Sequence, residues 1–136
     1  MTALLLILLA FADLAAVKAE PDPNRRSEMA LLNADEKLDA ARMAYQAGNS
    51  ALEETDIQEV GESVALCYAA LQEAHQAPRK SKYYKRAELK VSALMRRLGG
   101  FRDDVSFDSR PGVDTVLKRI SEIHDEMLSD IMSKRK

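Results

Sequence analysis

Ser81-Lys-Tyr-Tyr-Lys-Arg-Ala-Glu-Leu-Lys-Val-Ser-Ala-Leu-Met-Arg-Arg-Leu98 carries apolar residues at Tyr84, Ala87, Val91, Leu94 and Leu98. Steps of three and four residues place all five on one face of an α-helix, with charge on the other faces. The pair Gly99-Gly100 ends or loosens this helix, although Phe101 continues the spacing. Upstream, Pro78 bars helix continuation, so Ala77 to Ser81 reads as a linker.

The same periodicity recurs on both sides. Ser27 to Ala47 has its stripe at Leu31, Ala34, Leu38, Ala41 and Tyr45, and Gly48-Asn49 supplies a helix stop. The next segment opens with Ser50-Ala-Leu-Glu53, a capping-box pattern. Its stripe is Ile57, Val60, Val64, Cys67, Leu71 and Ala74, with Gly61 in the middle as a point of close helix approach. The last segment is announced by Asp108-Ser109-Arg110-Pro111 and carries Val113, Leu117, Ile120, Ile123 or His124, Met127 and Ile131. Strand signals are nearly absent.

Four short amphipathic helices with short connections predict an all-α fold, a small up-down-up-down four-helix bundle in which sequential neighbours run antiparallel. The alternative is two stacked helical hairpins, as in a solenoid. Ala41 to Leu52, with Tyr45, Gly48, Asn49 and Ala51, faintly resembles the turn of a tetratricopeptide repeat, without a second copy at the expected period. The single helical domain is expected over residues 27–136, after an extended lead over 20–26 that contains Pro21 and Pro23.

Ahead of that lead, Ala3 to Ala12 is an unbroken apolar run, and Val17-Lys18-Ala19 makes a small-x-small site before Glu20-Pro21. This is the layout of a signal peptide over residues 1–19, cleaved after Ala19, which implies a secreted or periplasmic protein. The run is too short to cross a membrane, which takes about 20 apolar residues. Extending it to Val17 would bury Asp13 at roughly 2.5–3.5 kcal/mol. Met1-Thr2 lacks the basic residue usual at the start of such a leader. An uncleaved anchor and an apolar helix docked on the domain are the competing readings. The lone Cys67 has no partner for an internal disulfide and lies on an apolar face, as a buried small hydrophobe does.

The inventory for catalysis is poor: two histidines, one cysteine, no tryptophan, and no phosphate loop or nucleophile motif. Glu73-Ala-His75 and Glu122-Ile-His124 have the wrong spacing for a di-iron bundle, which places Glu and His three apart. In an antiparallel bundle His75 and His124 differ in height by roughly 15 Å, at 1.5 Å per residue, so they share no metal. The six methionines are scattered rather than clustered as a thioether metal site requires, and are expected to fill core gaps. No metal or cofactor is expected, and a metal-binding bundle is a remote alternative. His124 borders the apolar stripe and should lie near the level of Val91, one turn from Glu88, which makes Glu88 and His124 a candidate polar pair.

Charge is segregated. From Glu28 to Glu62, nine acids face two bases, Lys37 and Arg42; from Arg79 to Arg102, nine bases face one acid, Glu88. Attraction between the two halves would specify which helices are neighbours. The functional alternative is a binding face made of Arg79, Lys80, Lys82, Tyr83, Lys85 and Arg86 around a helix start, with the basic tail Lys134-Arg135-Lys136. It would suit anionic lipid, cell-wall polyanions or an acidic protein; the export address argues against nucleic acid. The expectation is a non-catalytic helical interaction or structural module whose partner the sequence does not name.

Overall fold

Most helices here begin at a short polar side chain that takes up a free first-turn amide. In the structure, a computed structural model that describes residues 13–133, Asp13 accepts from the Ala16 amide at 2.9 Å and starts α1 (Leu14–Ala19). Asp22 accepts from Asn24 at 3.2 Å and starts α2 (Pro23–Gln46). Asn49 accepts from Leu52 at 3.2 Å and starts α3 (Ser50–Glu73), and Ser81 accepts from Tyr84 at 3.2 Å and starts α4 (Lys82–Asp104). The last helix, α5 (Arg110–Met132), has no side-chain cap; a single 3-10 turn over Phe107–Ser109 feeds directly into it.

Several local expectations are corrected. The extended lead over 20–26 gives way to helix at Pro23, because a proline at the first helical position loses no hydrogen bond and brings the right φ. Arg26 then fastens the turn from α1, donating from Nε to the Glu20 carbonyl at 2.9 Å and from Nη1 to Glu73 Oε2 at 2.6 Å. The capping box at Ser50 is not formed, since Asn49 occupies the cap and Glu53 turns inward instead. Gly99 and Gly100 lie within α4, which runs on to Asp104. Phe101 explains this: its ring is buried edge-on to Tyr45, centroids 6.0 Å apart, with the Arg42 guanidinium 5.6 Å from its centre. That burial, worth about 1.5–3 kcal/mol, offsets the roughly 1 kcal/mol per glycine lost in a helix.

The α2–α3 turn closes with Gly48 in the left-handed region at φ 77°. The Asn49 amide reaches the Ala44 carbonyl at 2.8 Å and the Gly48 amide that of Tyr45 at 3.0 Å, the double bond pattern of a glycine-terminated helix. After α3 the same left-handed position is taken by His75, φ 53°.

Among the described residues the chain is all-helical, as a helical bundle requires, and no helix there is long and apolar enough to cross a membrane. The helices alternate in direction, but they do not pack in simple sequential order. α2 and α3 form one antiparallel hairpin and α4 and α5 a second; α2 lies beside α4 and α3 beside α5, while α3 and α4 barely meet. The cross-hairpin pairs are parallel: Glu28 meets Arg86 and Asp35 meets Arg97, while Glu53 shares a cleft with Val113 and Tyr68 meets Asp130.

One continuous core fills the space between the hairpins, with Leu38, Val64, Val91, Leu98, Phe101, Ile120 and Met127 at its centre. The stripe on α4 is buried throughout, and those on α2 and α3 are buried except at their C-terminal ends, where Tyr45 and Ala74 are only partly covered; on α5, Val116 is buried and Leu117 only partly. Val17 of α1 is fully buried in this core, so the packed unit reaches N-terminal to Ser27. The apolar run of the leader up to Ala12 lies outside the described residues.

Candidate binding surfaces

The nine bases between Arg79 and Arg102 divide by helix face. Those turned toward α2 are held by its acids: Arg97 reaches Asp35 at 2.8 Å and Asp39 at 2.5 Å, and Arg86 reaches Glu28 at 3.3 Å. Arg102 binds Asp114 on α5. These partners are half exposed, so each pair contributes roughly 0–1 kcal/mol. Their effect is to specify that α4 lies against α2.

At the start of α4 the picture differs. Arg79, Lys80, Lys82 and Lys85 are exposed, and among the described residues none of them makes an ion pair. The Lys82 ammonium lies 5.3 Å from the centre of the Tyr83 ring. Beside them is a shallow hollow of about 360 Å³ whose lining includes Lys80, Lys82 and Tyr83. Of the six sequence-predicted residues, Lys80, Lys82 and Tyr83 line this hollow, Arg79 and Lys85 are exposed nearby in sequence, and Arg86 pairs with Glu28. Because α4 and α5 are antiparallel, α5 ends at this same end of the molecule; the tail Lys134–Lys136 lies outside the described residues.

His124 Nε2 lies 3.0 Å from Glu88 Oε2, both mostly buried. Farther along the same seam is a group that the spacing did not single out. Tyr68 of α3 donates to Asp130 Oδ2 at 2.8 Å, and Tyr84 of α4 donates to the same oxygen. Burial first, and the hydrogen bond to Asp130 second, push the Tyr68 hydroxyl up to about 12 and hold Tyr84 well above the ordinary phenol range. Both therefore remain donors, and the carboxylate ties three helices together. The available signal was the position of Asp130 between Met127 and Ile131, on the border of the stripe.

Between α2 and α3, Asn33 is fully buried and donates to Ser63 Oγ at 2.9 Å and Glu59 Oε2 at 3.1 Å. Cys67 is fully buried, and burial pushes its thiol up to about 12 against a weaker pull from Lys90. Such a thiol is neutral and inert. Among the described residues no three His, Cys, Asp or Glu side chains are grouped to hold a metal ion.

At the opposite end of the molecule from the basic turn, the starts of α3 and α5 enclose a cleft of about 400 Å³. Glu53 lines it, is only 5% exposed, and leaves Oε1 without a hydrogen-bond partner. Its carboxyl is raised above the ordinary value by burial, then by the neighbouring charges of Glu54 and Asp56. An unpaired buried polar group of this kind costs a fold about 1–3 kcal/mol. Asp56 is raised too, mainly by burial, with Lys37 opposing. Compared with known protein families, curated proteins and solved structures, the chain matches none.

Proposed function

We propose that this chain is a non-catalytic helical interaction module, exported by its apolar leader, that meets an anionic surface or partner through the start of α4. The observation that carries this reading is the division of the α4 cations. Acids of α2 neutralise Arg86 and Arg97, whereas Arg79, Lys80, Lys82 and Lys85 crowd an exposed helix start without counter-charges among the described residues. Positive charge at a helix N-terminus is electrostatically unfavourable, so an external anion gains more there than elsewhere on the molecule. Tyr83 adds an amphipathic ring beside Lys82.

Support for a non-catalytic role is the way the titratable groups of the α4–α5 and α3–α5 seams are used. Glu88 with His124, and Asp130 with Tyr68 and Tyr84, satisfy one another across helix seams rather than converging on a cavity. Export rests on the run Ala3 to Ala12 and the small-x-small site at Val17 to Ala19. It has a structural consequence, because cleavage after Ala19 removes Val17 from the core.

The test is retention of the purified chain on anionic lipid vesicles at low and high salt. A basic residue near such a surface contributes about 1 kcal/mol. Replacing Lys80, Lys82 and Lys85 by Ala should therefore weaken binding roughly a hundredfold with the melting temperature unchanged. Arg97→Ala should do the reverse, lowering stability slightly and leaving retention intact. Equal retention of the triple variant and the parent would sink the proposal. Intact-mass measurement of the exported chain tests the leader, with Glu20 expected as the first residue.

A further inference from the structure

We propose that the outer face shared by the first turns of α2 and α4 docks on an anionic lipid bilayer, with Leu32, Tyr83 and Leu89 entering the headgroup region. This rests on the reading of the basic turn given above, and adds what the turn meets and which apolar groups go in with it. Leu32 of α2 and Leu89 of α4 are 56% and 66% exposed. Their helices are parallel neighbours, and the Glu28–Arg86 contact at 3.3 Å sets the two leucines at nearly one height, four residues past Glu28 and three past Arg86. Tyr83, at the start of α4, lines the hollow beside Lys80 and Lys82. It also lines a second shallow hollow of about 450 Å³ together with Arg25, Met29 and Leu32 of α2. The ring thus joins the basic turn to an exposed apolar patch.

Around this patch the cations lack counter-charges and the acids have theirs. Arg79, Lys80, Lys82 and Lys85 make no ion pair among the described residues. Of the two carboxylates that line the second hollow, Asp22 caps α2 and Glu28 holds Arg86. The exposed Glu36, one turn past Leu32, marks where the acidic surface of α2 begins. A bilayer fits this arrangement better than a folded acidic partner. Both hollows are shallow and open, so they offer no fixed pocket for a rigid side chain. Lysine stems lie along apolar surface while the ammonium reaches a phosphate, and tyrosine suits the boundary between headgroups and acyl chains. Past α5, which ends at this same end, the chain continues with Lys134-Arg135-Lys136. Basic residues near the surface and apolar side chains at the acyl boundary both favour the bound state, so part of the binding should survive high salt.

The chain has no tryptophan, so Leu32→Trp and Phe107→Trp each introduce a single fluorescent reporter. Phe107 is the control, exposed on the 3-10 turn at the opposite end of the bundle. Both variants are mixed with phosphatidylglycerol vesicles whose acyl chains are brominated, and both are applied to immobilised heparin, a polyanion without acyl chains. The reporter at position 32 is expected to shift to the blue and to be quenched by the bromines, and that at position 107 to do neither. The Leu32→Gln, Leu89→Gln double variant keeps every charge and replaces only exposed side chains. It should bind the vesicles about tenfold more weakly, with heparin retention and melting temperature unchanged. The proposal is overturned if position 32 is quenched no more than position 107, or if the double variant binds vesicles as the parent does. Heparin retention in that event would leave the basic turn an anion-binding site whose partner is a polyanion or an acidic protein. Loss of both vesicle and heparin binding in the parent would overturn the two readings together.

Discussion

Gly61 sits where α3 packs against Val116 and Arg119 of α5, and replacing it by alanine sets two effects of similar size against each other. A Cβ built there would lie 3.2 Å from Val116 Cγ1 and 3.8 Å from Arg119 Cδ. Carbon atoms pack best at about 3.5–4.0 Å, so Val116 would have to retreat by roughly 0.3 Å or more. Val116 is only 6% exposed, but it also lines the cleft at the starts of α3 and α5, which can take up part of that retreat. Overpacking of this sort costs about 1–3 kcal/mol, while exchanging glycine for alanine inside a helix gains about 1 kcal/mol. Gly61→Ala alone should therefore leave the chain unchanged or less stable by up to about 2 kcal/mol. In a Val116→Ala background the obstructing methyl is gone, and the same substitution should stabilise by about 1 kcal/mol. The double-mutant cycle thus predicts a coupling of about 1–3 kcal/mol between residues 61 and 116. Urea denaturation followed by far-ultraviolet circular dichroism measures it, because 1 kcal/mol moves the midpoint by about 0.3–1 M. If Gly61→Ala has the same effect in both backgrounds, α3 does not pack on α5 as described.

Two further outcomes test the polar interior. Tyr84→Phe removes a buried hydroxyl from a carboxylate and should cost about 1.5–3 kcal/mol in urea melts. Tyr68→Phe should cost about 1 kcal/mol; because both phenols share Asp130, the double variant should depart from additivity, and a neutral Tyr84→Phe would refute the seam. Glu53→Gln should stabilise the fold at neutral pH by removing a charge that burial and the neighbouring acids disfavour, with a defined pH dependence. An acid whose folded value is raised carries no penalty below the ordinary value of 4.5, where both states hold the proton. As pH rises through that value the unfolded chain loses its proton first, so stability falls until the folded carboxyl ionises as well. The advantage of glutamine should accordingly vanish on acidification below 4.5. A constant difference at all pH values would contradict the raised carboxyl.

The positions most legible in sequence were those governed by one helix and its nearest hairpin partner. The stripes of α2, α3 and α4 are buried as their three- and four-residue steps require, apart from the terminal Tyr45 and Ala74, and Phe101 marked the extension of α4 past two glycines. The meeting of Glu88 and His124 follows from counting helix rise along two antiparallel neighbours. Glu53 was less legible: its spacing from Ser50 suggests a cap, but Asn49 competes for that role one residue earlier, and the displaced carboxyl goes inward. The Tyr68–Asp130–Tyr84 group was illegible because its members come from three helices whose mutual heights depend on how the hairpins stack.

What the sequence determined by itself is the four long helices, most of their buried faces and the opposite charge of α2 and α4, since these follow from backbone periodicity and composition over a few turns. Only the tertiary structure decided that α3 lies beside α5 rather than α4, that Val17 enters the core, and which α4 cations are neutralised. The physical reason is that an amphipathic stripe specifies that a face must be covered but not by what. The choice among partners depends on side-chain fit, such as the space at Gly61 for Val116, and on charge pairs between residues some 60 positions apart.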